Sequence, residues 1–211
     1  KENVKSKLDS LENIVQTIRD NFSLSLESVW GRVEMLGWMI MLVGYTYLFL
    51  ADMGIALVIE EHFSKTYLDG AAMFDGHLPV VALTLRHDRL DNFWFALLHE
   101  LVHVQRHLGP ENLFIADNLE DKVHQQTTEE READEGARDL LIPQAVWLAS
   151  GLADEPTMEA TMALADKLRI HPTIVAGRVR YEADNWRLLS SIKADVRRLF
   201  ADQLQELSHP A

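Results

Sequence analysis

The pattern of apolar and polar residues predicts a mostly helical chain with strands confined to one stretch of its first half. At the N-terminus, apolar side chains alternate at intervals of four and three residues, a spacing typical of one face of a helix: Val4, Leu8, Leu11, Val15, Ile18 and Phe22. This face either docks on its own domain or pairs two copies of the chain as a homodimer. We therefore divide the chain into an N-terminal heptad helix or connector, residues 1–23, and one domain, residues 24–211.

An uncharged segment follows, from Met35 to Ala51. Its length is at the lower limit for a membrane-spanning helix, about 17 residues, and no basic cluster flanks it. We favour a buried helix over residues 24–51 that ends in a turn at residues 52–54. A membrane anchor is the alternative.

Three strands are predicted next, because β-branched and apolar residues recur there between turn signals: Ile55–Ile59, Thr66–Phe74 and Leu78–Leu85. Asp75 and Gly76 mark the turn between the second and the third. Gly70 is a weak point in the second strand. Pro79 lacks an amide donor, so the start of the third strand should lie at an edge or outside the ladder.

The remaining chain is predicted to be helical, apart from a loop at residues 111–127. Asp91 is expected to cap a helix that stops at Gly109 and Pro110. Thr127 and Glu130 fit a capping box for the next helix, in which each side chain bonds the other residue's amide. Further helices are predicted at 143–150, 156–168, 172–180 and 186–207. The fold class is therefore α+β, with a small sheet of about three strands.

Composition narrows the chemistry. The 211 residues include no cysteine, which excludes disulfides, thiolate metal sites and a cysteine nucleophile. The formal net charge of −13 disfavours nucleic-acid binding by this chain. No secretory signal is visible, and the absence of cysteine is consistent with the cytoplasm.

The strongest chemical signal is the pentapeptide His-Glu-Leu-Val-His at residues 99–103. On a helix, His99 and His103 leave the same face and can bind one metal ion. Glu100 lies beside the first ligand, where its carboxylate can act as the general base on zinc-bound water. The pattern predicts a zinc site of a metallopeptidase.

A catalytic zinc site needs a third protein ligand. His107 lies about 12 Å along the axis from His99, too far to join a straight-helix site, and is expected to be exposed or in an outer layer. The acids of the helix after Thr127 are better placed. Glu132 borders its apolar stripe, whereas Glu130 is assigned to the capping box. We therefore predict Glu132 as the third ligand. Asp139 is a candidate outer partner of a ligand histidine, although an ordinary solvated acid is the favoured alternative.

These residues resemble a known family. The pentapeptide, followed by Glu132-Ala133-Asp134 and then Leu140-Leu141-Ile142-Pro143, is similar to the ImmA/IrrE metallopeptidases. Residues 83–95 and 171–178 resemble the branch that follows a helix-turn-helix module in antitoxin-like regulators. The resemblance covers roughly residues 50–185. Gly136 is a departure, because the family often has a bulky aromatic residue there.

The resemblance implies a zincin-like fold, in which a small sheet packs on the active-site helix. It also implies Glu132 as the third zinc ligand, and a cytoplasmic bacterial or phage setting. The implied substrates are regulatory proteins such as repressors or antitoxins. An N-terminal helix-turn-helix module before Lys1 is a further implication, with residues 1–22 as its connector.

Two features bear on catalysis and substrate choice. His171 and Tyr181 are candidates for stabilising the oxyanion of the reaction, with His107 and His124 as weaker ones. Residues 111–135 carry nine acids against two basic residues, which could attract a basic substrate such as a DNA-binding repressor. The predicted function is zinc-dependent cleavage of a regulatory protein. The alternative is a non-catalytic zinc-binding sensor module of a transcriptional regulator.

Overall fold

The structure is a computed structural model, and it describes residues 46–60, 68–109, 111–116 and 127–200. The predicted heptad helix at residues 1–23 and most of the uncharged segment lie outside this part. Within it, no helix is long and apolar enough to cross a membrane.

The predicted turn at residues 52–54 is present. The helical residues 46–52 run up to it, and Gly54 adopts a positive φ of 75°, a conformation that glycine accepts without steric cost. Leu50 and Ile55, on either side, are both 1% exposed, and the Ile55 amide donates to the Leu50 carbonyl at 2.8 Å. The turn thus joins two buried segments.

The sheet has four strands, in the order β1-β3-β2-β4. Three of them match the predicted strands, with β1 at Ala56–Glu60, β2 at Gly70–Phe74 and β3 at Pro79–Thr84. β1 pairs with β3 in parallel, while β2 pairs with β3 and β4 antiparallel. The sheet is therefore mixed, with β3 inside it.

The fourth strand, β4 at Phe114–Ala116, corrects the predicted loop at 111–127. Its three residues pair with Ala71–Met73 of β2, and a segment this short has no periodicity of its own to read. Pro79 behaves largely as predicted: it opens β3 opposite Phe74, and the ladder with β1 begins only at Val80.

Five helices lie between residues 90 and 182 in the described part of the chain, the first before β4 and the others after it: α1 at Leu90–Arg106, α2 at Thr128–Leu141, α3 at Gln144–Ser150, α4 at Met158–Leu168 and α5 at Pro172–Glu182. The predicted helix at 186–207 is wrong over its described residues. Turns occupy 186–191, and a short 3-10 helix spans Arg197–Phe200. The physical reason is Arg180, whose guanidinium donates to the carbonyls of Leu188, Leu189 and Ile192 and so competes with helical bonding.

The predicted cap of α1 is also wrong. The helix starts at Leu90 after Arg89, which makes no side-chain cap, and Asp91 lies in the first turn, paired with Arg89 and Arg180. Thr127 caps α2 as predicted, with the Glu130 amide donating to Thr127 Oγ1 at 3.2 Å. The Glu130 side chain, which the capping box assigned to the Thr127 amide, contacts His99 and His103 instead.

Helices α1 and α2 pack closely at Gly136. A Cβ on Gly136 would lie 3.0 Å from Val102 Cγ2, so a larger side chain would push the helices apart. Gly136 therefore permits the close approach of the two helices. This packing places the polar side chains of α2 against the histidines of α1.

Candidate metal centre

His99 and His103 lie on one face of α1, as predicted from their spacing. Both are buried, and their Nε2 atoms are 3.0 Å apart. Two ring nitrogens this close need a shared proton or a shared cation between them. The pair is therefore half of a plausible metal site.

Glu130 supplies the third ligand atom. Its Oε2 lies 3.3 Å from His99 Nε2, and its Oε1 lies 3.4 Å from His103 Nε2. Tetrahedral zinc with bonds of about 2.0–2.1 Å has ligand atoms about 3.3 Å apart. The spacing of the two ring nitrogens is close to this value, and the two Glu130 contacts involve different oxygens, so the carboxylate faces both histidines. Among the described residues, His99, His103 and Glu130 form a group in which one ligand atom from each lies within 4.8 Å of the others, so that together they could hold a metal ion.

The structure does not bring Glu132, the predicted ligand, to the histidine pair. The Glu132 side chain is 46% exposed, and its Oε2 lies 3.1 Å from His107 Nε2. Residues two positions apart on a helix point about 200° away from each other around its axis. The side chains of Glu130 and Glu132 therefore cannot both reach the same point. The capping-box pattern assigns the Glu130 side chain to the helix cap and so argues against it as a metal ligand. The observed cap bond uses only the backbone amide of Glu130, which leaves its carboxylate available.

A second layer surrounds the two histidines. Asp134 Oδ1 lies 3.0 Å from His99 Nδ1, and His107 Nδ1 lies 2.9 Å from His103 Nδ1. Such outer partners fix the orientation and tautomer of a metal-binding imidazole. Glu132 therefore contributes through His107 rather than directly, and His107 belongs to this layer.

The charges around the two histidines favour a bound proton. Burial lowers the pKa of His99, but the Asp134 and Glu130 carboxylates outweigh it and raise this pKa to about 10. Burial raises the pKa of Glu130, but His103 and His99 outweigh it and lower this pKa to about 2. Since a histidine must be neutral to bind a metal, metal binding here releases a proton.

Glu100, the predicted general base, is 2% exposed and lies against the sheet. A Cβ on Gly70, the first residue of β2, would lie 2.5 Å from Glu100 Oε1 and 2.9 Å from its Cδ. The glycine that weakened the strand prediction thus makes room for the Glu100 side chain.

The remaining candidates have different positions. Asp139 Oδ1 accepts the amide of Gln144, the first residue of α3, at 2.7 Å, so Asp139 is not a partner of a ligand histidine. His171 caps α5 by accepting the Thr173 amide on Nδ1, and burial lowers its pKa to about 4. Tyr181 lines the cleft described next. His124 lies outside the described residues.

A cleft of about 830 Å³ opens beside the metal centre. His99, Glu100 and Asp134 are among its lining residues, as are Arg89 and Trp186. Pockets of this volume hold drug-sized ligands, and a short peptide segment is of that size. The site therefore combines metal ligands, a buried carboxylate and space for a substrate.

Comparison with known proteins adds no assignment. No family model matches the chain, and a search of curated proteins finds no significant match.

Proposed function

We propose that this chain is a zinc-dependent endopeptidase that cleaves a regulatory protein. One observation carries the proposal: possible ligand atoms of His99, His103 and Glu130 lie within 4.8 Å of one another, and His99 and the buried Glu100 line a cleft. The resemblance of residues 99–103 and their surroundings to the ImmA/IrrE metallopeptidases supports the same reading.

The ligand set suits hydrolysis. Two histidines and one glutamate leave a fourth position on zinc for water or substrate. Zinc, when bound there, polarises a carbonyl and lowers the pKa of water. Asp134 and His107 hold the ligand imidazoles in place through their Nδ1 atoms.

Glu100 is the general base in this proposal. It is adjacent in sequence to a metal ligand, and the β2 backbone at Gly70 limits where its carboxylate can move. From that position it accepts the proton of the attacking water and delivers it to the leaving nitrogen.

A peptide substrate would bind as an added strand. β1 and β4 are the edges of the sheet, and β4 pairs with the strand that begins at Gly70 beside Glu100. The exposed Leu113 and Phe114 offer apolar contact at this edge. Strand addition supplies main-chain hydrogen bonds that hold an extended peptide. The acidic residues between 111 and 135 would attract a basic partner such as a DNA-binding repressor.

The test compares zinc-loaded wild-type chain with the Glu100→Gln variant on a library of peptides derived from a whole proteome. Elemental analysis should find about one zinc per chain in both. New peptide termini should form with the wild type and fall by about 10²- to 10⁴-fold in the variant, since the general base is lost.

A Glu135→Gln variant is the matched control, because Glu135 is an exposed acid of α2 and should leave cleavage unchanged. Zinc-loaded wild type that cuts nothing in the library would contradict the endopeptidase proposal and favour the zinc-binding sensor. Equal cleavage by Glu100→Gln would remove Glu100 from the mechanism.

A further inference from the structure

Most of the arginines that line the cleft contact a carboxylate of the protein. Four of its arginines contact carboxylates: Arg86 with Asp69, Arg89 and Arg180 with Asp91, and Arg178 with Glu182. An arginine that is already paired would have to break that ion pair before it could bind a ligand, and breaking a buried pair is costly. The exception among the cleft arginines is Arg138.

Arg138 lines the cleft on the same face of α2 as the metal centre. It follows Glu130 and Asp134 at intervals of four residues, so the three side chains form a row. Successive members of the row are about 6 Å apart along the helix axis. Arg138 is therefore about 6 Å from Asp134 and about 12 Å from Glu130, measured along the axis.

The guanidinium of Arg138 contacts an aromatic ring but takes part in no ion pair found among the described residues. It stacks over the Tyr181 ring, 5.2 Å from the ring centroid. Stacking on an aromatic face leaves the N–H edge of a guanidinium open, and that edge matches the two oxygens of a carboxylate.

The backbone that carries Arg138 is also fixed. Arg178 is buried and donates to the carbonyl oxygens of Arg138 at 3.4 Å and Ile142 at 2.6 Å, which ties down the last turn of α2. Arg178 also donates to Gln144 Oε1. A group held in place before binding loses less conformational entropy when the ligand arrives.

We propose that Arg138 is a specificity-determining residue that binds a carboxylate of the substrate, two to four residues from the bond that is cut. This inference rests on the proposed function. An extended peptide advances about 3.3–3.6 Å per residue, so a span of about 6–12 Å gives that separation. The carboxylate belongs either to an acidic side chain or to the C-terminus of the substrate.

A carboxylate subsite is compatible with a basic substrate overall. The acidic surface of the chain acts on the whole partner over about a Debye length, close to 10 Å or less at physiological salt. Arg138 acts through direct contact inside the cleft, where screening is weaker. The two effects therefore select different properties, the net charge of the partner and one residue near the cleavage site.

The experiment measures the binding of short peptide hydroxamates, whose hydroxamate group ligates zinc, to the zinc-loaded chain by calorimetry. A set carries Glu or the neutral Gln at one to four residues from the hydroxamate, each with a free or an amidated C-terminus. We expect the wild type to prefer a carboxylate at one position by about 10- to 100-fold, the range of a charge-assisted hydrogen bond. Preference for Glu with the amidated terminus identifies a side chain, and preference only for the free terminus identifies a C-terminal carboxylate.

The preference should disappear in Arg138→Gln and persist in Arg131→Gln, which alters an exposed arginine of the same helix outside the cleft. Zinc content and thermal unfolding of each variant show that the site and fold are intact. Equal binding of Glu and Gln peptides by the wild type, or a preference that survives Arg138→Gln, would overturn the proposal. Failure of every hydroxamate to bind would overturn the zinc site, and the carboxylate subsite with it. Selective binding without cleavage of any peptide would contradict only the endopeptidase activity.

Discussion

Helix α1 carries two buried carboxylates, Asp91 in its first turn and Glu100 more than two turns further on, and the two lie in contrasting surroundings. Each packs against a glycine of a neighbouring element. A Cβ on Gly177 of α5 would lie 2.9 Å from Asp91 Cβ, and one on Gly70 of β2 would lie 2.8 Å from Glu100 Cγ. At both positions, a glycine in the neighbouring element leaves space for the acid.

The charges around the two acids differ. Asp91 contacts Arg89 and Arg180, and Arg180 also donates to three carbonyls between residues 188 and 192. Around Glu100, by contrast, ring nitrogens of His99 and His103 converge on the Glu130 carboxylate. In the Asp91 cluster every charged side chain contacts one of opposite sign, and Arg180 fixes the irregular segment at residues 188–192. The cluster of His99, His103 and Glu130 instead brings together possible ligand atoms for a cation.

This contrast suggests a criterion for reading buried polar groups. A cluster in which each charge meets its opposite stabilises the fold when intact and is costly to break. A cluster in which lone-pair donors face one another at 3.0–3.4 Å is suited to binding an ion. The two clusters should therefore respond in opposite ways to substitution, one in stability and the other in metal affinity.

The largest effect is expected for Asp91→Asn. It leaves Arg180 buried without its counter-charge, which should lower the free energy of unfolding by about 3–5 kcal/mol. Urea denaturation of the metal-free chain measures this loss. Zinc affinity of the folded variant should stay within twofold. Asp195→Asn, at an exposed acid of the cleft, is the control and should change stability by less than about 0.5 kcal/mol. Equal losses in the two variants would show that the Asp91 cluster is not a stabilising network.

The next effect separates the two glutamates of α2. Glu130→Ala removes a direct ligand, so zinc affinity should fall by more than about 100-fold. Glu132→Ala acts only through His107, and the fall should be about 10-fold or less. Competition with a chromogenic chelator measures both affinities. A larger loss for Glu132→Ala would restore the ligand predicted from the sequence and contradict the observed geometry.

The sequence predicts the parts of the site that depend on a single helix. His99 and His103 follow from the spacing of four residues, and the Thr127 cap follows from local hydrogen bonding. The choice of Glu130 over Glu132 does not, because it depends on how α2 crosses α1. The capping-box pattern pointed away from Glu130, although the cap needs only its amide. The roles of Asp134 and His107 depend on the same crossing.

The fold shows the same division. The predicted bounds of β1, β3, α2 and α4 are close to the observed ones, because each has a clear pattern and a stop signal. β4 was missed because three residues show no period, and its pairing with β2 is a tertiary event. The helix expected at 186–207 failed over its described residues because Arg180, from another helix, takes the backbone carbonyls that would form it.

The smallest effect tests whether Gly70 positions Glu100. In the wild type, Gly70→Ala places a Cβ against the Glu100 carboxylate, and overpacking of this kind costs about 1–3 kcal/mol. In a Glu100→Ala background the obstruction is gone, and alanine is favoured over glycine within a strand by about 0.5–1 kcal/mol. The same substitution should therefore destabilise one chain and stabilise the other, as measured by urea denaturation.

Gly177→Ala provides the contrasting case near the start of α1, where Asp91→Ala removes the carboxylate contact but keeps the Cβ at 2.9 Å, so it should relieve the strain only in part. Gly70→Ala should also reduce peptide cleavage while the chain retains about one bound zinc, because the base moves and the ligands do not. Gly177→Ala should leave cleavage per folded chain unchanged. If Gly70→Ala changes the free energy of unfolding equally with and without Glu100, the glycine does not position that carboxylate. The two glycine–acid contacts of α1 would then be alike only in their geometry.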